Sequence, residues 1–553
     1  MRTNRAYFLM AALTIAMTLC ALPALAQIIE INDIDELQRI GNDPDYPLDG
    51  DYVLGNDIDA RAAAGWNGGK GFDPIGNSTT PFTGTFDGAS YAITYLVVDR
   101  SDQNCVGLFG CTSNAIITNV VLESSSFTGN NYTGGLIGYI DNVSSVSNCH
   151  TTANVTGNDY TGGFAGCIDH ISSVTNCHSA GTVIGYKWAG GFAGYVNNIS
   201  IITDCYSEGS ATANTTTSSS YVYAGGFVGK NTGGEISNCY SEGNATANAS
   251  SRSSYVYAGG FVGQNTVGDI SNCYSEGNAT ANASFYGCAG GFVGQNTEGD
   301  ISNCYSEGNA TANAYSYGCA GGFVGQNDGG SNTNCYSTGN ASASASDYGS
   351  YAYAGGFVGK NTGGSNTNCY SEGNATANAS SGSHVYAGGF VGQNDGGSNT
   401  NCYSTGNAYA SAYYAYAGGF VGKNTGGSNT NCYSTGNASA RTYAGGFVGE
   451  NDGGSSTSCY WDIETSGLAE SDGGIGKTTA EMMQQATFIG WDFVAVWNIH
   501  EGASYPYLRI EPAPEGEGEP EGEGEQPEGE GEQPEGEGEQ PEGEGEQPEG
   551  EGE

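Results

Sequence analysis

The chain has 553 residues and a formal net charge of −45 at pH 7, with 59 Asp and Glu residues against 14 Lys and Arg residues. Such an acidic chain argues against nucleic acid and anionic membrane surfaces as partners, because both need clustered cations. Glycine alone contributes 93 residues, a composition that is not typical of an ordinary globular enzyme.

Residues 1–26 are predicted to be a signal peptide. Arg2 and Arg5 precede the apolar stretch "AYFLMAALTIAMTLCALP", and "ALA" at 24–26 supplies the small residues of a cleavage site before Gln27. No later segment approaches the roughly 18 apolar residues that a membrane-spanning helix needs. We therefore expect an exported chain, secreted or held at the cell surface, without a membrane span after cleavage.

A repeat fills residues 105–461. Its Gly-Gly-Phe step recurs from Gly107 to Gly446 at spacings of 27 to 35 residues, and this regularity is the signature of a repeat architecture. The extra residues of the longer copies fall in one place, a stretch such as "TANASSRSSYVY" before the next Gly-Gly pair. Insertions confined to one position are expected on one face of a stack.

Each copy predicts one coil of a parallel β-solenoid, an all-β fold. Short β-branched or aromatic runs such as "GGFVG", "ISNCY" and "NATA" are broken by Gly and Asn, which indicates three short strands per coil. About twelve coils would stack at a spacing of about 4.8 Å. Equivalent residues would form ladders, one of which changes from Val and Ile at Val146 to Ile301 into Asn at Asn332.

The two ends of the solenoid need caps because they expose unpaired strand edges. We expect residues 27–104 to form an N-terminal cap and the first coils, with a helix at "IDELQRI". Residues 462–510 would form the C-terminal cap, with a helix at "TTAEMMQQATF". Residues 511–553 hold "PEGEGEQ" repeats, and this composition predicts a disordered, charge-extended tail.

The repeat "YAGGFVGKNTGGEISNCYSEG" resembles the GLUG motif, which occurs in tandem on bacterial secreted and surface proteins. The resemblance extends over roughly residues 30–510 through "NDIDA", "GFDPIG" and the segment that ends in "SYPYL". It implies an adhesin-like β-solenoid or an accessory part of a larger enzyme, and it implies no catalytic role for the motif.

Eleven cysteines occupy one ladder from Cys149 to Cys459 and are expected to be packed thiols with scattered bridges. Cys288 and Cys319 differ, since they replace an aromatic residue in adjacent copies. A disulfide between them and two free thiols both stay open.

An aromatic column precedes the Gly-Gly pairs and has two interpretations. It could bind sugars or a partner surface, or it could fill a groove between the coil and the insertion, which we favour. The column consists of Tyr132, Tyr160, Trp188, Tyr223, Tyr257, Tyr353, Tyr386, Tyr416 and Tyr443.

The Asp, Glu, Lys and His residues follow the repeat, so we predict no catalytic residue, cofactor or metal. The favoured function is a non-enzymatic adhesion or structural module that binds an extracellular glycan or cell-surface protein at many weak positions. The alternatives are a carbohydrate-active β-helix enzyme or its accessory domain, of polysaccharide lyase or hydrolase type, and a purely structural matrix component.

Overall fold

A computed structural model describes residues 28–217, 220–380 and 382–510. The predicted signal peptide at 1–26 and the predicted tail at 511–553 lie outside these residues. The described chain winds into an all-β parallel β-solenoid of about 13 turns, which confirms the predicted fold class.

One coil shows how the five main sheets arise. Its strands are Val391–Asp395 in sheet 1, Ser398–Thr400 in sheet 2, Tyr403–Ser404 in sheet 3, Ala408–Ser411 in sheet 4 and Tyr414–Gly418 in sheet 5. Each strand pairs in parallel with its equivalents in the coils before and after it.

The sheets differ in the number of coils they span. The first and last strands are Phe109–Ser113 and Val448–Asp452 in sheet 1 (12 strands), Ile28–Ile31 and Ser455–Thr457 in sheet 2 (15), Ile58–Asp59 and Ile475–Lys477 in sheet 3 (15), Val97–Asp99 and Ala438–Ala440 in sheet 4 (12), and Thr161–Gly162 and Tyr443–Gly445 in sheet 5 (10).

The prediction of three strands per coil was wrong, because the corners take fewer residues than expected. Gly396, with a φ of 70°, turns the chain between sheets 1 and 2, and Asn401, with a φ of 53°, turns it between sheets 2 and 3. A single residue in the left-handed region makes such a corner, and Gly and Asn tolerate it best. Strands of two or three residues therefore fit between corners.

The main core consists of ladders that run through all the coils. Phenylalanine rings from Phe164 to Phe447 stack at centroid distances of 4.7–4.9 Å, which is the rise of one coil. The predicted exchange of Ile for Asn is also confirmed: Asn332 is fully buried and donates from Nδ2 to Oδ1 of Asn366 at 2.8 Å.

A second ladder of buried asparagines stiffens the corner between sheets 1 and 2. Nδ2 of Asn361 donates to the carbonyl of Gly364 at 3.0 Å and to Oδ1 of Asn394 at 3.0 Å, and Oδ1 of Asn361 accepts from Asn327 at 3.1 Å. A side chain on Gly364 would clash with Nδ2 of Asn327. This ladder explains why each Asn is followed closely by glycine.

The insertions form one feature, which we call the wing: the strands of sheets 4 and 5 from residue 210 to residue 445 and the turns that join them. In one copy Ala245 and Ala247 face Val256 and Ala258, and all four side chains are fully buried. Small side chains let the two sheets approach closely. The insertions thus lie on one face, as the sequence predicted.

Short helices and one hairpin cover the ends. The helix Ile34–Arg39 begins at Asp33, whose side chain accepts from the N–H of Glu36. The other helical segments are the 3₁₀-helices Ala60–Gly65 and Gln485–Thr487 and the α-helices Trp66–Gly69, Ile463–Ser466 and Thr479–Met482; the antiparallel strands are Trp497–Asn498 and Tyr507–Leu508. The predicted C-terminal helix is a single turn, because Gln484 is extended.

Candidate functional site

From Trp188 onward the predicted aromatic column lies in sheet 5, on the side that faces sheet 1, and Tyr132 and Tyr160 precede that sheet. Four of its nine members are 3–5% exposed, namely Tyr223, Tyr257, Tyr353 and Tyr386. The other five are half-buried: Tyr132, Tyr160, Trp188, Tyr416 and Tyr443. Burial raises the pKa of Tyr257 and of Tyr353 well above the ordinary value.

Several neighbouring rings of this column stack face to face. The ring centroids of Tyr132 and Tyr160 are 4.6 Å apart, and those of Tyr353 and Tyr386 are 5.8 Å apart, both in stacked arrangements. Sugar rings stack on the faces of aromatic side chains rather than on their edges. The facing surfaces of these stacked pairs are therefore covered, whereas Tyr160 and Trp188 meet edge to face.

Lysine side chains of sheet 1 lie against the aromatic column, in the space between sheet 1 and sheet 5. Nζ of Lys230 lies 5.1 Å from the ring centroid of Trp188 and 5.3 Å from that of Tyr223. Nζ of Lys360 lies 5.5 Å from the centroid of Tyr353. These are cation–π distances, and burial lowers the pKa of Lys230. The geometry favours the groove-filling interpretation of the column.

Cys288 and Cys319 are paired residues of adjacent coils and are both fully buried. Both are free thiols in this structure, and burial raises the pKa of Cys288. Their disulfide stays a prediction.

The two cysteines change the packing around them in a way that the sequence did not reveal. They are smaller than the tyrosines they replace, and the hydroxyl of Tyr286 reaches into the space beside them. It donates to Oε1 of Gln326 at 2.5 Å and lies 3.7 Å from Sγ of Cys319. Nε2 of Gln326 in turn donates to Asp328 at 2.7 Å. This polar network interrupts an otherwise periodic column.

A second thiol pair escaped the sequence analysis. Cys105 and Cys111 are both buried in the first repeat. They face each other as Tyr132 and Tyr139 do in the next coil, where the ring centroids are 5.2 Å apart. Register, rather than spacing in the sequence, brings these cysteines together.

The thiols of the long ladder contact the backbone. Sγ of Cys402, for example, donates to the carbonyl of Thr400 at 3.2 Å. Cys149 and Cys177 show the link along the stack, since the N–H of Cys149 donates to Sγ of Cys177 at 3.4 Å. These cysteines act as small packed side chains of the core.

Six exposed tyrosines lie at the outer edge of the wing, which the sequence analysis did not single out. Their side chains are 38–82% exposed, against 3–5% for the buried part of the predicted column. They are Tyr221, Tyr315, Tyr348, Tyr409, Tyr413 and Tyr414. The alternation in "YVYAG" places Tyr221 and Tyr223 on one face of the strand, so it does not distinguish the exposed tyrosine from the buried one.

Within the described ranges, no group of three or more His, Cys, Asp or Glu side chains is placed to hold a metal ion. His150 and His178 are paired residues of adjacent coils, with ring centroids 3.8 Å apart. Burial lowers the pKa of both, that of His178 to about 4. Among the described helices, none has the length and apolar character to cross a membrane.

The parallel coils, their asparagine corners and their internal ladders define a β-solenoid repeat protein. A sequence profile described as the GLUG motif matches residues 220–246, 254–280 and 285–311. The chain therefore contains GLUG repeats.

Two relatives and one solved structure are similar to parts of the chain. Halomucin of Haloquadratum walsbyi is 42% identical over 113 residues, 20% of this chain and 1% of Halomucin. A "Putative Gly-rich membrane protein" of Evansella cellulosilytica is 36% identical over 106 residues, 17% of this chain and 12% of that protein. The chain thus matches a small fraction of either relative.

The solved structure is that of a "putative immunoglobulin A1 protease" from Bacteroides ovatus. It is 14% identical, with a TM-score of 0.20, and the alignment covers 88% of this chain and 93% of that one.

Proposed function

We propose that the chain is a non-enzymatic module of a secreted or cell-surface protein, and that it adheres to an extracellular glycan or a cell-surface protein. The observation that carries the proposal is the tyrosine-rich edge of the wing. Tyr221 is 50% exposed, Tyr348 82% and Tyr413 53%. Tyrosine offers a rigid apolar ring with a polar tip, a combination that is enriched at binding surfaces.

Repetition of this edge supports a multivalent mechanism. Binding positions that recur along the stack engage a polymer or a cell surface together, so that weak individual contacts add up to stable attachment. The names of the relatives, Halomucin and a Gly-rich membrane protein, fit a surface location.

The distribution of carboxylates supports a non-enzymatic role. Glu208, Glu242, Glu276 and Glu307 are exposed and occupy equivalent positions of successive repeats. A glycosidase needs one acid and one base or nucleophile held in different environments at a fixed separation. A column of equivalent, solvated glutamates has no such difference between its members.

The test combines retention and turnover in one experiment. The full chain is incubated with a panel of polysaccharides, and both bound protein and newly formed reducing or unsaturated ends are measured. We expect retention on at least one polymer without new chain ends. New ends would contradict the non-enzymatic role, and absence of binding to every glycan and to cells would favour a purely structural component.

A further inference from the structure

The edge of the wing is not uniform, because its turns differ in length. The turns between sheets 4 and 5 hold five residues at 250–254 and at 346–350, but two residues at 284–285 and at 315–316. Two short turns between longer ones leave a recess. A groove of about 680 Å³ occupies this part of the wing and spans five coils, from Asn214 to Ser346.

The floor of the groove is a ladder of amides held in fixed positions. Nδ2 of Asn248 donates to Oδ1 of Asn214 at 2.7 Å, Asn282 donates to Asn248 at 2.8 Å, and Asn313 donates to Asn282 at 3.0 Å. An amide has two N–H donors and one carbonyl oxygen with two lone pairs. Each rung therefore keeps one N–H for a ligand, and its orientation is already set.

The wall of the groove provides an aromatic face, and a cation lies beside it. Tyr315 is 38% exposed and lines the groove. The guanidinium carbon of Arg252 lies 5.5 Å from the ring centroid of Tyr315. Arginine packed on an aromatic ring keeps its N–H groups free at the ring's edge.

The pairing of an exposed tyrosine with an arginine occurs a second time along the wing, beside a groove that none of the described asparagines lines. Tyr409, Tyr413 and Arg441 line a groove of about 440 Å³, and the guanidinium carbon of Arg441 lies 5.3 Å from the ring centroid of Tyr413. Tyr409 and Tyr413 are 49% and 53% exposed. Arg252 and Arg441 are the only two arginines between residues 101 and 461, and each packs on an exposed tyrosine beside a groove.

We propose that these two grooves are saccharide-binding sites that take a neutral, extended chain of pyranose sugars. A pyranose ring in such a chain is about as long as one coil is high, so in the groove lined by Asn248 and Asn282 successive sugars meet successive asparagine rungs. Tyrosine stacks on the apolar face of a sugar, and amides and guanidinium groups bond its hydroxyls.

The charge of the protein decides between neutral and acidic glycans. The net charge is −45, and the exposed column that contains Glu242 and Glu276 directly precedes the strands of sheet 4 that form the groove floor. One arginine per groove does not offset this field, which repels polyanions at long range. The site thus selects neutral sugars.

This inference rests on the proposed adhesion function and names its glycan partner and its site. The probes are a soluble neutral glucan, a galactomannan and chitin oligomers, with alginate as the acidic comparator. The variants of the full chain are Tyr315→Ala, Tyr413→Ala and the double variant. Tyr315→Phe is a further variant, which keeps the aromatic ring and removes only the hydroxyl. The control is Tyr95→Ala, because Tyr95 is 41% exposed and also carries an arginine over its ring, Arg61 at 3.6 Å, outside the wing.

We expect binding of a neutral glycan that each single Tyr→Ala variant weakens and the double variant weakens by at least about tenfold. Tyr315→Phe and Tyr95→Ala should bind as the unchanged chain does. Unchanged binding by the double variant, or equal loss in Tyr95→Ala, would refute the grooves while leaving adhesion intact. Binding of alginate alone would refute the neutral class, and no binding of any glycan would refute the glycan arm of the proposed function as well.

Discussion

Replacing one buried asparagine of the corner ladder should destabilise the solenoid far more than replacing an exposed one. Asn361 is fully buried and makes three hydrogen bonds, to Gly364, Asn394 and Asn327. In Asn361→Ala three buried polar groups lose a partner, and each such loss costs about 1–3 kcal/mol. We therefore expect a local destabilisation of about 3 kcal/mol or more.

Asn374→Ala is the matched control. Asn374 also belongs to a ladder, since its Nδ2 donates to Asn340 at 3.0 Å and its Oδ1 accepts from Asn407 at 2.9 Å, but its side chain is exposed. Water can replace these bonds, so the expected loss is below about 1 kcal/mol.

Amide hydrogen exchange measured by mass spectrometry resolves the difference, because coils of a repeat protein open locally. Exchange of the peptides around residue 361 should accelerate by about 100-fold or more in Asn361→Ala, since each 1.4 kcal/mol is a factor of ten. Comparable acceleration in both variants, or none in either, would refute the argument that burial makes this ladder strong.

Three further predictions concern the core and its titratable groups. The folded-state pKa of His178, about 4, lies below its ordinary value of 6.5 because of burial and of His150. The unfolded chain takes up a proton first as the pH falls, so His178 should lower stability progressively between about pH 6.5 and 4, by about 1 kcal/mol once exposure of the half-buried ring is allowed for. Thermal unfolding of His178→Tyr should show a smaller loss over this range, and an identical loss would contradict the assignment. Phe357→Ala removes a fully buried ring and should lower the free energy of local opening by about 3–5 kcal/mol, measured by amide hydrogen exchange. Unchanged exchange around residue 357 would contradict the packed core. Oxidation should join Cys288 to Cys319, with two protons and two electrons passing to an oxidant such as oxidised glutathione; non-reducing peptide mapping that finds both thiols free after this treatment would refute the disulfide.

The architecture was predictable because the same sequence pattern recurs in many copies, and each copy indicates the same coil. The Gly-Gly-Phe period gave the coil, and the change from Ile301 to Asn332 gave a ladder that the structure confirms through the bond from Asn332 to Asn366. The number of strands was not predictable in the same way. It depends on corner residues such as Asn401 adopting a left-handed conformation, which the side chain permits but does not dictate.

The candidate site could be identified only from the folded structure, because it depends on which residues of successive coils lie side by side. In the sequence, "YVYAG" presents two tyrosines whose side chains point to different surroundings, and only the packing of the wing shows that Tyr223 is buried while Tyr221 is exposed. The grooves depend on short turns in adjacent coils and on Arg252 reaching Tyr315 from two coils away. Such relations join residues that are far apart in the chain.

The central claim is that the function belongs to the stacked wing edge as a whole. Its most direct measurement is the dissociation rate of the full chain from surfaces that carry a neutral glycan at increasing density. Simultaneous engagement of several positions predicts that dissociation slows steeply as the density rises, and that soluble glycan restores fast release. A dissociation rate that stays constant at all densities would show a single independent site and would contradict the multivalent account.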